Sequence, residues 1–126
     1  ILDVEHGIFH YSNAGHPHPK HVCQARSCIA TMEASGMALG VMAENNYEDV
    51  AVYLESGDSL LLFTDGVSDT QSEAGNSFGD LRIDQALRDV ANSGENLINR
   101  VTTKLKRFRR NASPFDDVTM VEIKRD

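Results

Sequence analysis

The residues best suited to chemistry in this 126-residue sequence are carboxylates placed next to apolar runs. Asp65 sits in Thr64-Asp65-Gly66, directly after Leu60-Leu61-Leu62-Phe63. Asp69 lies four residues further on, and Asp116-Asp117 precede Val118-Thr119-Met120-Val121. A charge delivered to the end of a hydrophobic strand needs a cation or hydrogen-bond donors, since burying it alone costs on the order of several kcal/mol. A sparse set of carboxylates completed by water is how hard divalent ions such as Mg²⁺ and Mn²⁺ are held. The plainer reading of Asp65-Gly66, a turn with an exposed carboxylate, stays open on this stretch alone.

The elements that must position these groups can be read from the apolar pattern. Leu60 to Phe63 cannot alternate between core and water, so this run predicts a central strand buried on both faces. Gly66 permits a sharp change of direction after it. Residues 49–54 alternate as a strand, and Ser56-Gly57-Asp58 predicts an antiparallel hairpin joining them to the central strand. Asp116 and Asp117 stand at the start of a final strand, where neighbours point to opposite faces, so only one can face a given site. If that strand lies antiparallel beside the central one, Asp65 and Asp116 meet. After the polar stretch 71–79 the period changes to that of two amphipathic helices. One covers about 80–91 and the other about 95–109, with Asn92-Ser93-Gly94 breaking between them.

Residues 1–5 and 8–13 predict two strands around a His6-Gly7 turn. A half-buried hairpin at residue 1 implies that the chain is cut inside a larger domain. Residues 20–24 form another predicted strand, after the Pro-locked turn at His16-Pro17-His18-Pro19. From 25 to 46 the pattern loosens, and Gly36 to Val41 suits a loop rather than a helix, either tucked against the sheet or a mobile cover over a site.

Composition narrows the function classes. The net charge of −7 argues against nucleic-acid binding and suits a protein that concentrates cations. Apolar runs are far shorter than the ~18 residues of a membrane span, and no basic leader opens the chain, so a cytoplasmic location is expected. The basic run Lys104, Lys106, Arg107, Arg109 and Arg110 falls at a helix C-terminus, where the macrodipole favours cations. His6, His10, His16, His18 and His21 lack evident partners for a metal site. Cys23 and Cys28 fall short of the four donors that structural zinc takes, and read as reduced thiols.

Taken together, Tyr11-Ser-Asn-Ala-Gly-His-Pro17, Gly36-x-x-Leu39-Gly40, Ser56-Gly57-Asp58, Leu60 to Asp69, Phe78-Gly79 and Asp116-Asp117-Val118-Thr119 carry a resemblance. In this order and spacing the chain resembles the C-terminal part of the metal-dependent type-2C (PPM) serine/threonine phosphatases, in the stage-II-sporulation-E-like subgroup. The resemblance runs over residues 1–126 as the C-terminal portion of a single phosphatase domain. It implies an α+β fold, a layered α-β-β-α sandwich of antiparallel sheets flanked by helices, here N-terminally truncated. It also implies Asp65 and Asp116 as metal ligands, with Gly66, Asp69 and Asp117 as ligands or supporting groups around them.

The implied reaction is phosphomonoester hydrolysis by a water held between two Mn²⁺ or Mg²⁺ ions about 3.5–4 Å apart. The implied substrate is a phosphorylated regulatory protein such as an anti-sigma-factor antagonist, and the implied parent carries an upstream sensory or receiver domain. The family's N-terminal Gly-Asp motif, whose carboxylate bridges both metals, has no counterpart here. The 126-residue chain alone is therefore expected to have little or no activity. A rival expectation is a non-catalytic binding or regulatory module on a degenerate phosphatase scaffold. Sheet edges left uncovered at the cut side are expected to favour a homodimer.

Overall fold

A computed structural model describes residues 1–33, 36–90, 95–114 and 116–126. Among the described residues, seven strands form two antiparallel sheets. Sheet A has the order β1-β2-β5, from Leu2–Asp3, Ile8–Tyr11 and Val50–Tyr53. Sheet B has the order β4-β3-β6-β7, from Cys28–Thr31, Lys20–Cys23, Ser59–Phe63 and Met120–Lys124. Helices α1 (Asp65–Ser68), α2 (Gly79–Val90) and α3 (Leu97–Arg109) complete the described elements. This is the α+β arrangement expected, and its described part forms three layers: sheet A, sheet B and helices.

β6 is central because its side chains feed two cores. Leu61 and Phe63 join Val22, Ile83, Leu87, Val101 and Leu105 in the core between sheet B and the helices. Leu60 points the other way, into a smaller core with Phe9, Met32 and Leu54 between the sheets. Leu60 and Leu61 are both wholly buried, and each such leucine contributes roughly 1.5–3 kcal/mol. The apolar stripes predicted for α2 and α3 pack as their period requires. Asn96 caps α3 by accepting from the Asn99 N–H at 3.0 Å. Glu122 of β7 accepts from the Leu97 N–H at 3.2 Å, so an acidic group sits where the helix dipole favours one.

Lys20 is anchored beneath α2. Its side chain is almost fully buried, with Nζ 3.2 Å from Asp80, 3.1 Å from Asp84 and 3.0 Å from the Thr31 hydroxyl. Lys20 thereby ties β3, β4 and α2 together on the helix side of sheet B.

Several expectations need correcting. β5 and β6 do not form a hairpin: β5 pairs with β2 in sheet A, and β6 with β3 and β7 in sheet B. Ser56-Gly57-Asp58 instead carries the chain around a corner between sheets. The corner is held by bonds that a hairpin turn would not make. Gly57 adopts φ 88°, its N–H donates to the Arg125 carbonyl at 2.7 Å, and the Arg125 N–H donates to the Asp58 carbonyl at 2.9 Å. β4 falls within the stretch read as loose. Its alternation is faint because Ala30 and Thr31 are exposed on a sheet edge.

The 36–41 loop is tucked at Gly36, where a side chain would strike the Asn13 carbonyl, and at Ala38, which lies against Gly15. Met37, Leu39, Val41 and Met42 are exposed. β7 begins at Met120, so Asp116 and Asp117 lie before the strand and strand alternation does not govern them. The predicted breaker Asn92-Ser93-Gly94, like Ala91 at the end of the predicted helix, lies outside the described residues.

Candidate metal centre

The carboxylates gather at one end of sheet B because β6 and β7 are antiparallel neighbours. Their ladder runs from Ser59↔Lys124 to Phe63↔Met120. Thr64 extends it by one more rung. Its N–H donates to the Thr119 carbonyl at 3.0 Å, and its hydroxyl oxygen accepts from the Thr119 N–H at 3.0 Å. The same hydroxyl donates to the Asp117 carbonyl at 3.2 Å. A side chain thus replaces the backbone carbonyl in the last rung. This frees the Thr64 carbonyl to accept from the Val67 N–H at 3.0 Å and open α1.

Gly66 brings the two segments into contact. A Cβ at this position would overlap the Asp117 carbonyl oxygen and lie 3.6 Å from the Asp116 carbonyl carbon. The backbone of α1 is fixed from within: the Asp65 carbonyl accepts from the Asp69 N–H at 2.8 Å and the Ser68 hydroxyl at 3.0 Å. Thr70 donates its hydroxyl to the Gly66 carbonyl at 2.6 Å. The Asp65 carboxylate takes no hydrogen bond among the described residues, and it is exposed.

The other carboxylates are also exposed. Asp116 accepts from the Asp117 N–H at 2.7 Å, and Asp69 accepts from the Ser68 hydroxyl at 3.4 Å. Among the described residues none of these four is in an ion pair. Asp65-Gly66 and Asp116-Asp117 are therefore neighbours, as the strand argument expects. The four carboxylates do not form a compact nest, however. No three of them bring ligand atoms within 4.8 Å of one another.

The compact cluster of ligand-type residues lies elsewhere, and the sequence reading missed it. His21, Cys23 and Asp58, all buried, bring their ligand atoms within 4.8 Å of each other. His21 Nε2 is 2.9 Å from Asp58 Oδ2, and Cys23 Sγ is 3.9 Å from either ring nitrogen. Burial, then the neighbouring Cys28 thiol and the Asp58 charge, pushes the Cys23 thiol up to about 12 against a smaller opposing effect of Arg26. The available signal was alternation: residues 21 and 23 of one strand share a face.

Comparison with known proteins follows from this architecture. Two antiparallel sheets with helices on one face are the fold of PP2C-type phosphatase domains. The chain belongs to the stage II sporulation protein E (SpoIIE) family, whose sequence profile matches residues 1–126.

The chain is 34% identical over 67 residues to the phosphoserine phosphatase RsbU of Bacillus subtilis, covering 53% of this chain and 20% of that protein. It superposes on the RsbU and RsbW domains of Rv1364c from Mycobacterium tuberculosis with a TM-score of 0.78 and 27% identity, over 98% of this chain and 35% of that one. The Mn-presoaked phosphatase domain of SpoIIE from Bacillus subtilis gives a TM-score of 0.74 at 19% identity, over 100% of this chain and 54% of that one. The chain thus spans a fifth of the curated relatives it matches. No described helix is long and apolar enough to cross a membrane.

Proposed function

We propose that residues 1–126 are the C-terminal portion of a metal-dependent phosphatase domain that removes phosphate from phosphoserine or phosphothreonine on a regulatory protein. The observation that carries this is the packing of Gly66 on the Asp116–Asp117 backbone, which brings two carboxylate-bearing segments to one sheet end. The donor chemistry fits Mn²⁺ or Mg²⁺. Asp65 and Asp116 offer hard oxygens, and neither has a cationic partner among the described residues.

Asp65 and Asp116 are the residues that would hold the ion. When bound, it supplies the positive charge that lowers the pKa of a water and turns it toward phosphorus. The chain's own residues hold this geometry. Thr64 locks the β6 end to the β7 approach, α1 fixes the backbone beneath Asp65, and Gly66 allows the close approach. Asp69 and Asp117 stand nearby as further carboxylates able to accept from metal-bound waters. The kinship to the phosphoserine phosphatase RsbU supports phosphoserine as the substrate.

The looseness of the carboxylate set supports a second part of the reading. With no three of these carboxylates close together, the 126-residue chain alone binds Mn²⁺ weakly and turns over little substrate. The test compares this chain with the full-length parent on p-nitrophenyl phosphate and on a phosphoserine protein, with Mn²⁺ added. Activity in the parent that falls at least 100-fold in both Asp65→Asn and Asp116→Asn supports the reading. A parent that hydrolyses neither substrate, or that keeps its rate in both variants, removes it and favours a non-catalytic scaffold. Full activity in the short chain refutes the second part.

A further inference from the structure

The two cysteines of the β3–β4 hairpin stop looking like an isolated pair once the corner between the sheets is included. Cys23 and Cys28 are directly opposed across the hairpin. Four residues separate them, a spacing that zinc-binding pairs use. What the sequence lacked was the rest of a ligand set, and the fold supplies it. His21 lies on the same face of β3 as Cys23. Asp58 arrives from the sheet-to-sheet corner, which is fifty-eight residues into the chain and carries no sequence sign of being near.

We propose that His21, Cys23, Cys28 and Asp58 form a binding site for a thiophilic divalent cation of the zinc type, separate from the carboxylates at Asp65 and Asp116.

The distances match such a site. Zinc bonds of about 2.0–2.3 Å at tetrahedral angles separate neighbouring sulfur and nitrogen donors by about 3.5 Å. Cys23 Sγ lies 3.9 Å from the His21 ring nitrogens, and His21 Nε2 lies 2.9 Å from Asp58 Oδ2. Shifts of a few tenths of an ångström in opposite senses bring these two pairs to that spacing, and Asp58 and Cys23 already lie within 4.8 Å. Cys28 stands directly across the hairpin from Cys23, on the same face, and its partial exposure gives an ion a way in.

The surroundings are also built for a fixed ligand. Asp58 is 1% exposed, and its carboxylate is held by backbone donors. Oδ1 accepts from the Gln24 N–H at 3.0 Å, and Oδ2 accepts from the Glu55 N–H at 3.1 Å. These bonds leave Oδ2 a second lone pair, now directed at His21, so a cation can replace the proton shared there. Hydrogen-bonded carboxylates and oriented imidazoles of this kind are what support ligands around metals. Two thiolates and a carboxylate on a divalent ion leave one net negative charge. The Arg26 guanidinium, 4.0 Å from Cys23 Sγ, stands ready to offset it.

The test uses the full 126-residue chain, reduced, and titrates Co²⁺ and then Zn²⁺ as the metals alone. Expected is a single strong site per chain with visible bands of tetrahedral cobalt and near-ultraviolet thiolate-to-cobalt charge transfer, bleached by zinc. Cys23→Ser removes the charge-transfer band, Cys28→Ser at least halves it, and Asp65→Asn with Asp116→Asn leaves it unchanged. Circular dichroism confirms that each variant folds. Without any variant, saturating zinc slows modification of both wild-type thiols by a disulfide reagent at least tenfold. Absence of thiolate-to-cobalt charge transfer, bands that survive Cys23→Ser, or thiols unprotected by zinc overturn the proposal. A Cys23–Cys28 disulfide that forms in air equally with and without saturating zinc also overturns it.

Discussion

The backbone of Gly66 packs against the carbonyl oxygen of Asp117, and a Cβ at residue 66 would overlap it. Two effects then compete in Gly66→Ala. Within α1 alanine is the better helix former, by about 1 kcal/mol. Against that, a methyl group forced into a backbone contact costs typically about 1–3 kcal/mol, and a carbonyl on a ladder cannot swing away as a flexible side chain can. The clash wins. Gly66→Ala is expected to lower stability in urea melts by about 1–2 kcal/mol, and to weaken Mn²⁺ binding by calorimetry because the Asp65 and Asp116 segments are pushed apart. A variant as stable as the parent chain would show that the two segments are not held in contact.

Thr64 bridges the same segments through its hydroxyl. Thr64→Val keeps the shape and loses both the donor to Asp117 and the acceptor for the Thr119 N–H. A hydrogen bond of this kind is worth roughly 0.5–1.5 kcal/mol, and the orphaned N–H belongs to an exposed residue. The expected loss is therefore about 1–2 kcal/mol in total. Amide hydrogen exchange at Thr119 should rise by at least tenfold, while exchange in the middle of β6 stays slow. Unchanged protection at Thr119 would mean that its N–H finds another acceptor.

Lys20 presents an asymmetry that two variants can expose. Its side chain is 2% exposed, whereas those of Asp80 and Asp84 are 62% and 25% exposed. Removing the ammonium in Lys20→Met leaves Asp80 open to water, where it still suits the N-terminal part of α2, but strands the buried Asp84 Oδ1. One carboxylate oxygen is then left without a partner while the rest of both groups meets water, so the expected cost is about 1–3 kcal/mol. Removing both carboxylates in Asp80→Asn with Asp84→Asn strands a buried cation on the Thr31 hydroxyl. That costs about 3–5 kcal/mol. Denaturant melts of both proteins should show the second variant as clearly the less stable. The reverse order would mean that Lys20 is held by its packing rather than by its charge partners.

How much of this was legible beforehand depended on the range of the forces involved. Leu60 to Phe63 announced a doubly buried strand because every residue in the run is apolar, and the 3.6-residue period of 80–109 announced two helices. The segments that carry Asp65 and Asp116 were legible as neighbours because antiparallel β6 and β7 bring their ends together. The corner at Ser56-Gly57-Asp58 was not legible. A tight hairpin and a sheet-to-sheet crossing use the same turn residues, and only the bonds from Gln24, Glu55 and Arg125 to this corner distinguish them. The His21, Cys23 and Asp58 cluster was hidden for the same reason, because Asp58 was placed in the wrong sheet connection. Edge strand β4 escaped because half of its side chains face water.

Tyr11 gives a pH-dependent test of the packing of sheet A. Burial, and then the charge of Glu48, raises its phenol above the usual value of 10.0. The ring stacks on Phe9 with centroids 5.8 Å apart, and its hydroxyl reaches the Glu33 carbonyl at 3.5 Å. Above about pH 10 an unfolded chain has released this proton while the folded one retains it. The folded state then binds more protons than the unfolded one, so stability falls as pH rises. The contribution is fully present below the ordinary phenol pKa and is lost as pH climbs through the folded value. Ultraviolet titration should place Tyr11 ionisation later than in Glu48→Gln, where the second of the two causes is gone. In urea melts Tyr11→Phe should lose less stability than the parent chain between about pH 9 and 11, with the two curves parallel at lower pH. Curves that stay parallel through the whole range would show that the Tyr11 phenol is as free in the folded chain as in the unfolded one.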